Sequence, residues 1–405
     1  MLAIAGWSCS SSAGRHRASA RLSRVAVVAL LAAAVLVPAG AALLGPKAGR
    51  AATRPDCGTP TSPLAGAQIS TMYNSRGLLI RRFTKAGMSP VFVGYADPHH
   101  TSVFPLLNSA VIQRRQVRDM IGSAIGAVNG DFFNATGGSE GVEVARGGSV
   151  VKGVTGTSAA VVSDSAGRLT IGQVTTTVTL RAKISATATS AVPAHVYNTV
   201  QRAANSIAVY DGRWGTPTSL RSFRWPAQPA VSYIVASGHV AKIVPGVTDH
   251  AFPSNGFIVV AQGAGITALA QAGWRTTAAV SLGVTAVTGS GARPYGAIGA
   301  GELIAGGGQV LDNACGYDAP TPRTAVGVQA GTGSVLLVAA SGKGLSMRAL
   351  NALMQSLRVV DAAIMDGGGS TVMVERGTKT VQLTVHPYRD EGDRPVPNGL
   401  GVFPR

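Results

Sequence analysis

The sequence predicts an α+β protein built on a strand-rich mixed sheet with a few helices, including a β-α-β unit at residues 334–374. Three observations predict this. Short apolar or alternating runs recur between Gly, Asp and Asn turns from about Ala67 to Phe403. The 52 Gly and 21 Pro among 405 residues break the chain too often for long helices. Apolar residues at helical spacing are rare, and one stretch, Ser346–Arg358, carries most of that signal. A hydrophobic content of 46% supplies a core, and 13% charged residues is far from a disordered composition.

Residues 1–52 read as a secretory signal. Arg15, Arg17, Arg21 and Arg24 precede an apolar stretch, Val25–Val37, followed by small residues at Ala39-Gly40-Ala41 and Ala51-Ala52. The apolar stretch is short of the roughly 20 residues that span a bilayer, so no stable membrane span is expected in the mature form. Residues 53–66, with Thr59-Pro60-Thr61-Ser62-Pro63, read as a linker. Residues 67–405 then run without a clear second boundary. Cys9 lies in the signal, which leaves Cys57 and Cys315 as an even pair, and a disulfide between them is expected in an oxidising compartment. Secretion, or retention at the cell wall, follows from the same features.

The formal charge is +17, but residues 1–52 hold six Lys/Arg and no acid, so the mature chain keeps +11. Its basic residues are scattered, with Arg81-Arg82 and Arg114-Arg115 as the tight pairs. No Lys/Arg tract carries interleaved aromatics, which argues against nucleic acid. A diffuse positive field suits anionic polymers such as phosphate-bearing glycans.

Strands are expected at Pro90–Tyr95, Ser123–Val128, Arg168–Arg181, Ser206–Tyr210, Val231–Ala236, Phe257–Ala261, Ala325–Val328, Ser334–Ala340, Ala362–Met365 and Thr371–Val374. Helices are expected at Gln113–Ile121, Thr267–Ala272 and Ser346–Arg358. The last places Leu350, Leu353, Met354 and Leu357 on one face, with Ser346 as N-cap.

Four polar clusters interrupt these elements. The first is Asp366-Gly367-Gly368-Gly369-Ser370-Thr371, between two apolar strands. Three glycines beside a carboxylate and two hydroxyls expose backbone N–H groups to an anion or a sugar; a tight hairpin is the plain alternative. The second is Asn129-Gly130-Asp131-Phe132-Phe133-Asn134, with Glu140 and Glu143 following. Asn-Gly is a turn dipeptide, but two phenylalanines are too apolar for a simple exposed tip. The third is Pro322-Arg323-Thr324-Ala325, where Pro can aim Arg as a phosphate clamp. The fourth, Arg394-Pro395-Val396-Pro397-Asn398-Gly399, fixes an extended segment between Arg and Asn. Zinc-protease, nucleophile-elbow and P-loop patterns are missing. Asp97-His99-His100 is better read as a solvated turn than as a metal corner.

Taken in order, Asn129-Gly-Asp-Phe-Phe, Pro322-Arg-Thr-Ala, Asp366-Gly-Gly-Gly-Ser-Thr and Arg394-x-Val-x-Asn398 resemble the phosphodiester glycosidase family over roughly Ala67 to Phe403. Where relatives often carry Asp-Gly after the next strand, this chain reads Ala340-Ser341-Gly342-Lys343. The resemblance implies hydrolysis of a sugar C1–O bond whose leaving group is a phosphate ester, in a cell-surface or extracellular glycan. It implies Asp366 as the essential carboxylate, with Asp131 or Glu143 as a second. Arg323, Arg394, the Gly367, Gly368 and Gly369 amides, and Ser370 or Thr371 would take the phosphate; Asn129 and Asn398 would orient sugar or phosphate. No cofactor is required on this reading. Two alternatives stand beside it: a phosphodiesterase in which Asp131 and Asp366 hold a divalent cation and the P–O bond is cleaved, and a non-catalytic binding module for anionic wall polymers.

Overall fold

Among the described residues, strands with alternating side chains form three sheets, nearly all antiparallel. The structure, a computed structural model, describes residues 62–405 apart from 201–202, 223–224, 302, 306–318, 378–380 and 386–393. The signal, most of the linker and the Cys57–Cys315 pairing lie outside the described residues.

A seven-stranded sheet begins with the hairpin Gln68–Ser75 and Leu78–Lys85. It continues through Met88–Ala96, Val335–Leu345, Thr321–Gln329, Val359–Ile364 and Leu303–Ala305. A second sheet of twelve strands spans the middle of the chain. Its longest member, Leu169–Lys183, alternates buried and exposed residues and pairs with Gly156–Ser163, Thr189–Ala194 and Val280–Thr288. The third sheet has five strands in the order Val381–Val385, Met373–Arg376, Gly126–Asn129, Asn398–Pro404 and Thr101–Leu107. One parallel pair, Val196–Tyr197 with Ile207–Tyr210, makes the set mixed.

Helices are short and few among the described residues. Met347–Ser356 forms where spacing predicts it, and the Ser346 hydroxyl accepts from the Ala349 N–H at 3.1 Å. Such a cap contributes about 1 kcal/mol. Leu350, Leu353 and Met354 are buried with Ala340, Val359 and Ile364 beneath the seven-stranded sheet. The strands on either side, Val335–Leu345 and Val359–Ile364, both pair with Thr321–Gln329, which lies between them. Gln113–Ile121 is helical only over Val117–Met120. Residues 113–116 are drawn into backbone pairing instead, Arg115 bridging to Val396, and tertiary contact overrides propensity.

The observed strands include each expected one, with ends shifted by a few residues. Several others carried too little apolar pattern to be expected. Gln68–Ser75 is an edge strand with six of its eight residues exposed, so no alternation marks it.

One corner positions the site. Val359–Ile364 runs in the seven-stranded sheet, and Met365 N–H still donates to Thr324 O at 2.9 Å. One residue later, Asp366 N–H donates to Gly130 O, also at 2.9 Å, just past the strand Gly126–Asn129 of the five-stranded sheet. The chain then turns through Gly368–Ser370 and enters Met373–Arg376. The Asp366 run is therefore where the chain crosses from one sheet to another.

Candidate active site at a sheet crossing

The crossing needs its glycines. A Cβ on Gly367 would sit 2.7 Å from Pro322 O, and Gly368 has φ of +59°. The first leaves no room for a side chain, and the second is a backbone region that L residues rarely adopt. Gly367 is thereby pressed against Pro322-Arg323, and a Cβ on Gly369 would lie 3.5 Å from Arg394 Cδ. Two motifs that sequence placed far apart, Pro322-Arg323 and Arg394, flank the Asp366 turn.

Asp366 is half-buried. Desolvation pushes its carboxyl above the usual range, opposed by the nearby Ser370 hydroxyl, the Gly367 N–H and the positive charge of Arg394. Gly367 N–H donates to Asp366 Oδ1 at 2.9 Å. Arg323, on the first residues of its strand, is half-buried, and its Nε donates to Leu345 O at 3.3 Å. Desolvation lowers its pKa below the usual value. Arg394 is exposed and lies over the Phe133 ring, its Cζ 4.6 Å from the centroid. Ser370 and Thr371 are buried.

Behind this outer layer is a buried polar one. Asn129 is fully buried at the end of Gly126–Asn129. Its Nδ2 donates to Asp366 O at 2.7 Å, while Oδ1 accepts from Thr324 Oγ1 at 2.7 Å and Val372 N–H at 3.1 Å. Asn398, also fully buried, begins the neighbouring strand, in which Gly399 pairs with Asn129. Its Oδ1 accepts from Asp131 N–H at 2.8 Å, and its Nδ2 donates to Glu143 Oε1 at 2.8 Å. Glu143 accepts a further bond from Ser139 Oγ at 2.7 Å. Sequence assigned Asn129 and Asn398 to substrate; the structure places both inside the protein, with their amides engaged by protein partners.

Sequence reasoning missed Lys152. It is 1% exposed, sits opposite Glu143 across the strand pair, and donates from Nζ to Gly141 O at 2.6 Å. The same peptide's neighbour contact runs the other way: Gly141 N–H donates to Asp131 Oδ2 at 2.6 Å. Burial raises the Asp131 carboxyl to about 7, against the pull of Lys152, and burial lowers Lys152 against the pull of Glu143, Asp131 and Glu140. A lysine inside Val150-Val151-Lys152-Gly153-Val154 was the available signal, since a charged residue on a short, otherwise apolar strand requires a buried partner. Glu140 was seen in sequence, and the structure leaves it exposed near both Asp366 and Lys152.

The arrangement brings the Asp366 carboxylate, the Arg394 guanidinium and a glycine turn together, with the Pro322-Arg323 backbone against Gly367 and a buried Asn–Asp–Asn–Glu–Lys layer behind. A site with anion-binding and proton-accepting groups side by side can stabilise a departing phosphate and handle the proton of an attacking water. Among the described residues no group of three or more His, Cys, Asp or Glu could hold a metal ion. No helix among them is long and apolar enough to cross a membrane. The turn at Asp97 is a local hydrogen-bonded loop, with His99 N–H donating to Asp97 Oδ1 at 2.9 Å.

Comparison with known proteins agrees with the resemblance read from the motifs: residues 230–403 match the phosphodiester glycosidase family. That span contains Arg323, Asp366–Thr371, Arg394 and Asn398; Asn129, Asp131 and Glu143 lie before it. The fold is similar to that of a hypothetical protein from Synechocystis, with TM-score 0.67 and 21% identity, covering 84% of this chain and 64% of that one. The chain thus spans under two thirds of the Synechocystis protein's length. A candidate exported protein from Burkholderia pseudomallei is similar at TM-score 0.60 and 20% identity, over 78% of this chain and 74% of that one. A third structure is the zebrafish N-acetylglucosamine-1-phosphodiester α-N-acetylglucosaminidase catalytic domain, auto-inhibited by its pro-peptide. It aligns at TM-score 0.40 and 15% identity, over 86% and 92% of the two chains. No curated protein matches the chain.

Proposed function

We propose that the protein is a secreted hydrolase that cleaves the C1–O bond of a sugar-1-phosphodiester in a cell-surface or extracellular glycan. The observation that carries this is the meeting of Asp366 and Arg394 at one glycine turn packed against the Pro322-Arg323 backbone, in a chain whose residues 230–403 match the phosphodiester glycosidase family.

The leaving group is a phosphate monoester, already anionic, so protonating it matters less than in an ordinary glycoside. The demands are an oxocarbenium-like transition state and stabilisation of the departing phosphate. Arg323 and Arg394 take the phosphate, assisted by the Gly368 and Gly369 amides, while the Gly367 N–H is held by Asp366 Oδ1 and Ser370 and Thr371 are buried. Asp366 accepts the proton of the attacking water. The water oxygen joins C1, the C1–O bond breaks, and its electron pair leaves with the phosphate. Burial, by raising the carboxyl of Asp366, makes it a better base than an ordinary exposed aspartate.

Asn129 and Asn398 hold the wall from behind, and Asp131 and Glu143 act through it. Asp131 already faces the ammonium of Lys152, which opposes a second cation there. That supports cleavage at carbon over a metal-held P–O cleavage. Hydrolysis in ¹⁸O-labelled water tests the choice: label in the sugar supports C1–O cleavage, and label in the phosphate overturns it.

A further inference from the structure

Two guanidiniums share one aromatic ring at the edge of this site. The Cζ atoms of Arg394 and Arg114 lie 4.6 and 5.5 Å from the centroid of Phe133. Backbone bonds and close packing hold together the three segments that carry them. Residues 133–139 close on themselves through the Phe133–Ser139 bridge and the Asn134 N–H to Gly138 O bond. Gly137, at φ +96°, lets that loop press on its neighbour: a Cβ there would meet Ile112 O at 2.8 Å and Arg114 Nε at 3.1 Å. Arg115 and Val396 exchange both backbone bonds, at 3.0 and 2.9 Å.

Both arginines are exposed, and among the described residues neither lies within 4 Å of a carboxylate. Stacking on a ring holds a guanidinium in place without neutralising it or consuming its N–H donors. Each therefore keeps a fork for an oxyanion. Arg394 faces Asp366 and Gly369, at the reacting centre. Arg114 lies on the same ring but is carried by a different segment, beside Gly137 rather than Gly369. The two charges are thus offered side by side, one of them at the Asp366 turn.

We propose that Arg114, held on Phe133, is a second phosphate subsite, and that the protein takes glycans carrying phosphodiesters in successive repeats rather than a lone sugar phosphodiester. The place of the cleaved bond beside Arg394 rests on the proposed cleavage at Asp366; the subsite itself is read by binding. The diffuse positive charge of the mature chain acts in the same sense by attracting such a polymer.

The test is calorimetric titration of the mature chain with glycerol phosphate oligomers of one and of three phosphates, at two salt concentrations. The wild type is expected to bind the longer oligomer roughly tenfold more tightly, the range of one added charge-assisted contact. Arg114→Ala should reduce that ratio to near one. Phe133→Leu, which keeps an apolar plug but removes the ring, should reduce it in part. A wild type without length preference, or an Arg114→Ala protein that retains it, overturns the subsite. Equal binding of a three-phosphate oligothymidylate would mean a non-specific polyanion surface and overturn the glycan assignment. Turnover of a sugar-1-phosphodiester by the wild type is measured alongside. Its absence, with the length preference intact, would refute the cleavage and leave the subsite standing.

Discussion

The side-chain amide of Asn129 donates to the backbone carbonyl of Asp366 at 2.7 Å, across 237 residues of chain. This bond fastens the end of a strand in the five-stranded sheet to the residue at which the chain leaves the seven-stranded one. The same amide's oxygen accepts from Thr324, next to Arg323, so one buried side chain registers two motifs at the cleft.

Asn129→Ala should accordingly cost more than a cavity. It strands the Asp366 carbonyl and the Val372 N–H in a buried place, at roughly 1–3 kcal/mol for each group. A loss of about 3 kcal/mol by urea denaturation is expected, together with a loss of turnover in the fraction still folded. Folded protein with full turnover would remove Asn129 from the positioning of Asp366.

Asp366→Asn should leave the fold nearly intact and abolish the reaction. The group is half-buried and accepts the Gly367 N–H, a bond that an amide oxygen can still accept. Stability within about 1 kcal/mol of wild type is expected, as for a substitution that removes no packing. Turnover of a sugar-1-phosphodiester should fall at least 10³-fold, on the scale of a lost general base. Full turnover by a folded variant would refute the assignment.

How legible this was depends on where each residue sits. Strands with both faces buried, such as Gly256–Gln262, announce themselves as apolar runs. The exposed hairpin strand Gln68–Ser75 does not, because its stability comes from pairing with Leu78–Lys85 rather than from its own pattern. At the site, Asp366, Arg323 and Arg394 were legible because a glycine turn and two proline-flanked arginines each need a local reason. Their meeting is a product of sheet order, which no short window contains. Lys152 was illegible for a different reason: its role is defined by Asp131 and Glu143, and only strand pairing brings them together. The buried place of Asn129 and Asn398 is similar, since the sequence shows that an amide is present but not which way it points.

Lys152→Met tests that buried layer directly. Methionine matches the stem in length but removes the charge near Asp131 and Glu143 and leaves Gly141 O without its donor. Leaving a buried polar group without its partner costs roughly 1–3 kcal/mol. Adding Asp131→Asn removes one of the stranded acids and should recover at least about 1 kcal/mol, a coupling of the size expected for contacting groups. Denaturation midpoints of the two single variants and the double variant give the coupling. Strict additivity would mean that Lys152 and Asp131 do not share one charge balance.

The raised Asp131 carboxyl also fixes a direction for pH. Its carboxyl is raised to about 7 by burial, against 3.8 for an ordinary aspartate. Between these the folded protein holds a proton that the unfolded chain has released. Folding is therefore favoured by this group below pH 4, and the advantage is lost as pH rises through 7. Carboxyls held low by partners, such as Asp211 beside Tyr197 and Arg213, act in the opposite sense at acid pH. The whole-protein curve mixes both, and the difference between variants isolates one. Relative to wild type, Asp131→Asn should gain stability steadily from pH 4 to pH 7.5, because the asparagine has no proton to lose. Urea midpoints taken at half-unit intervals across that range should diverge. Parallel curves would show that Asp131 is ionised in the folded protein throughout, held there by Lys152 despite its burial.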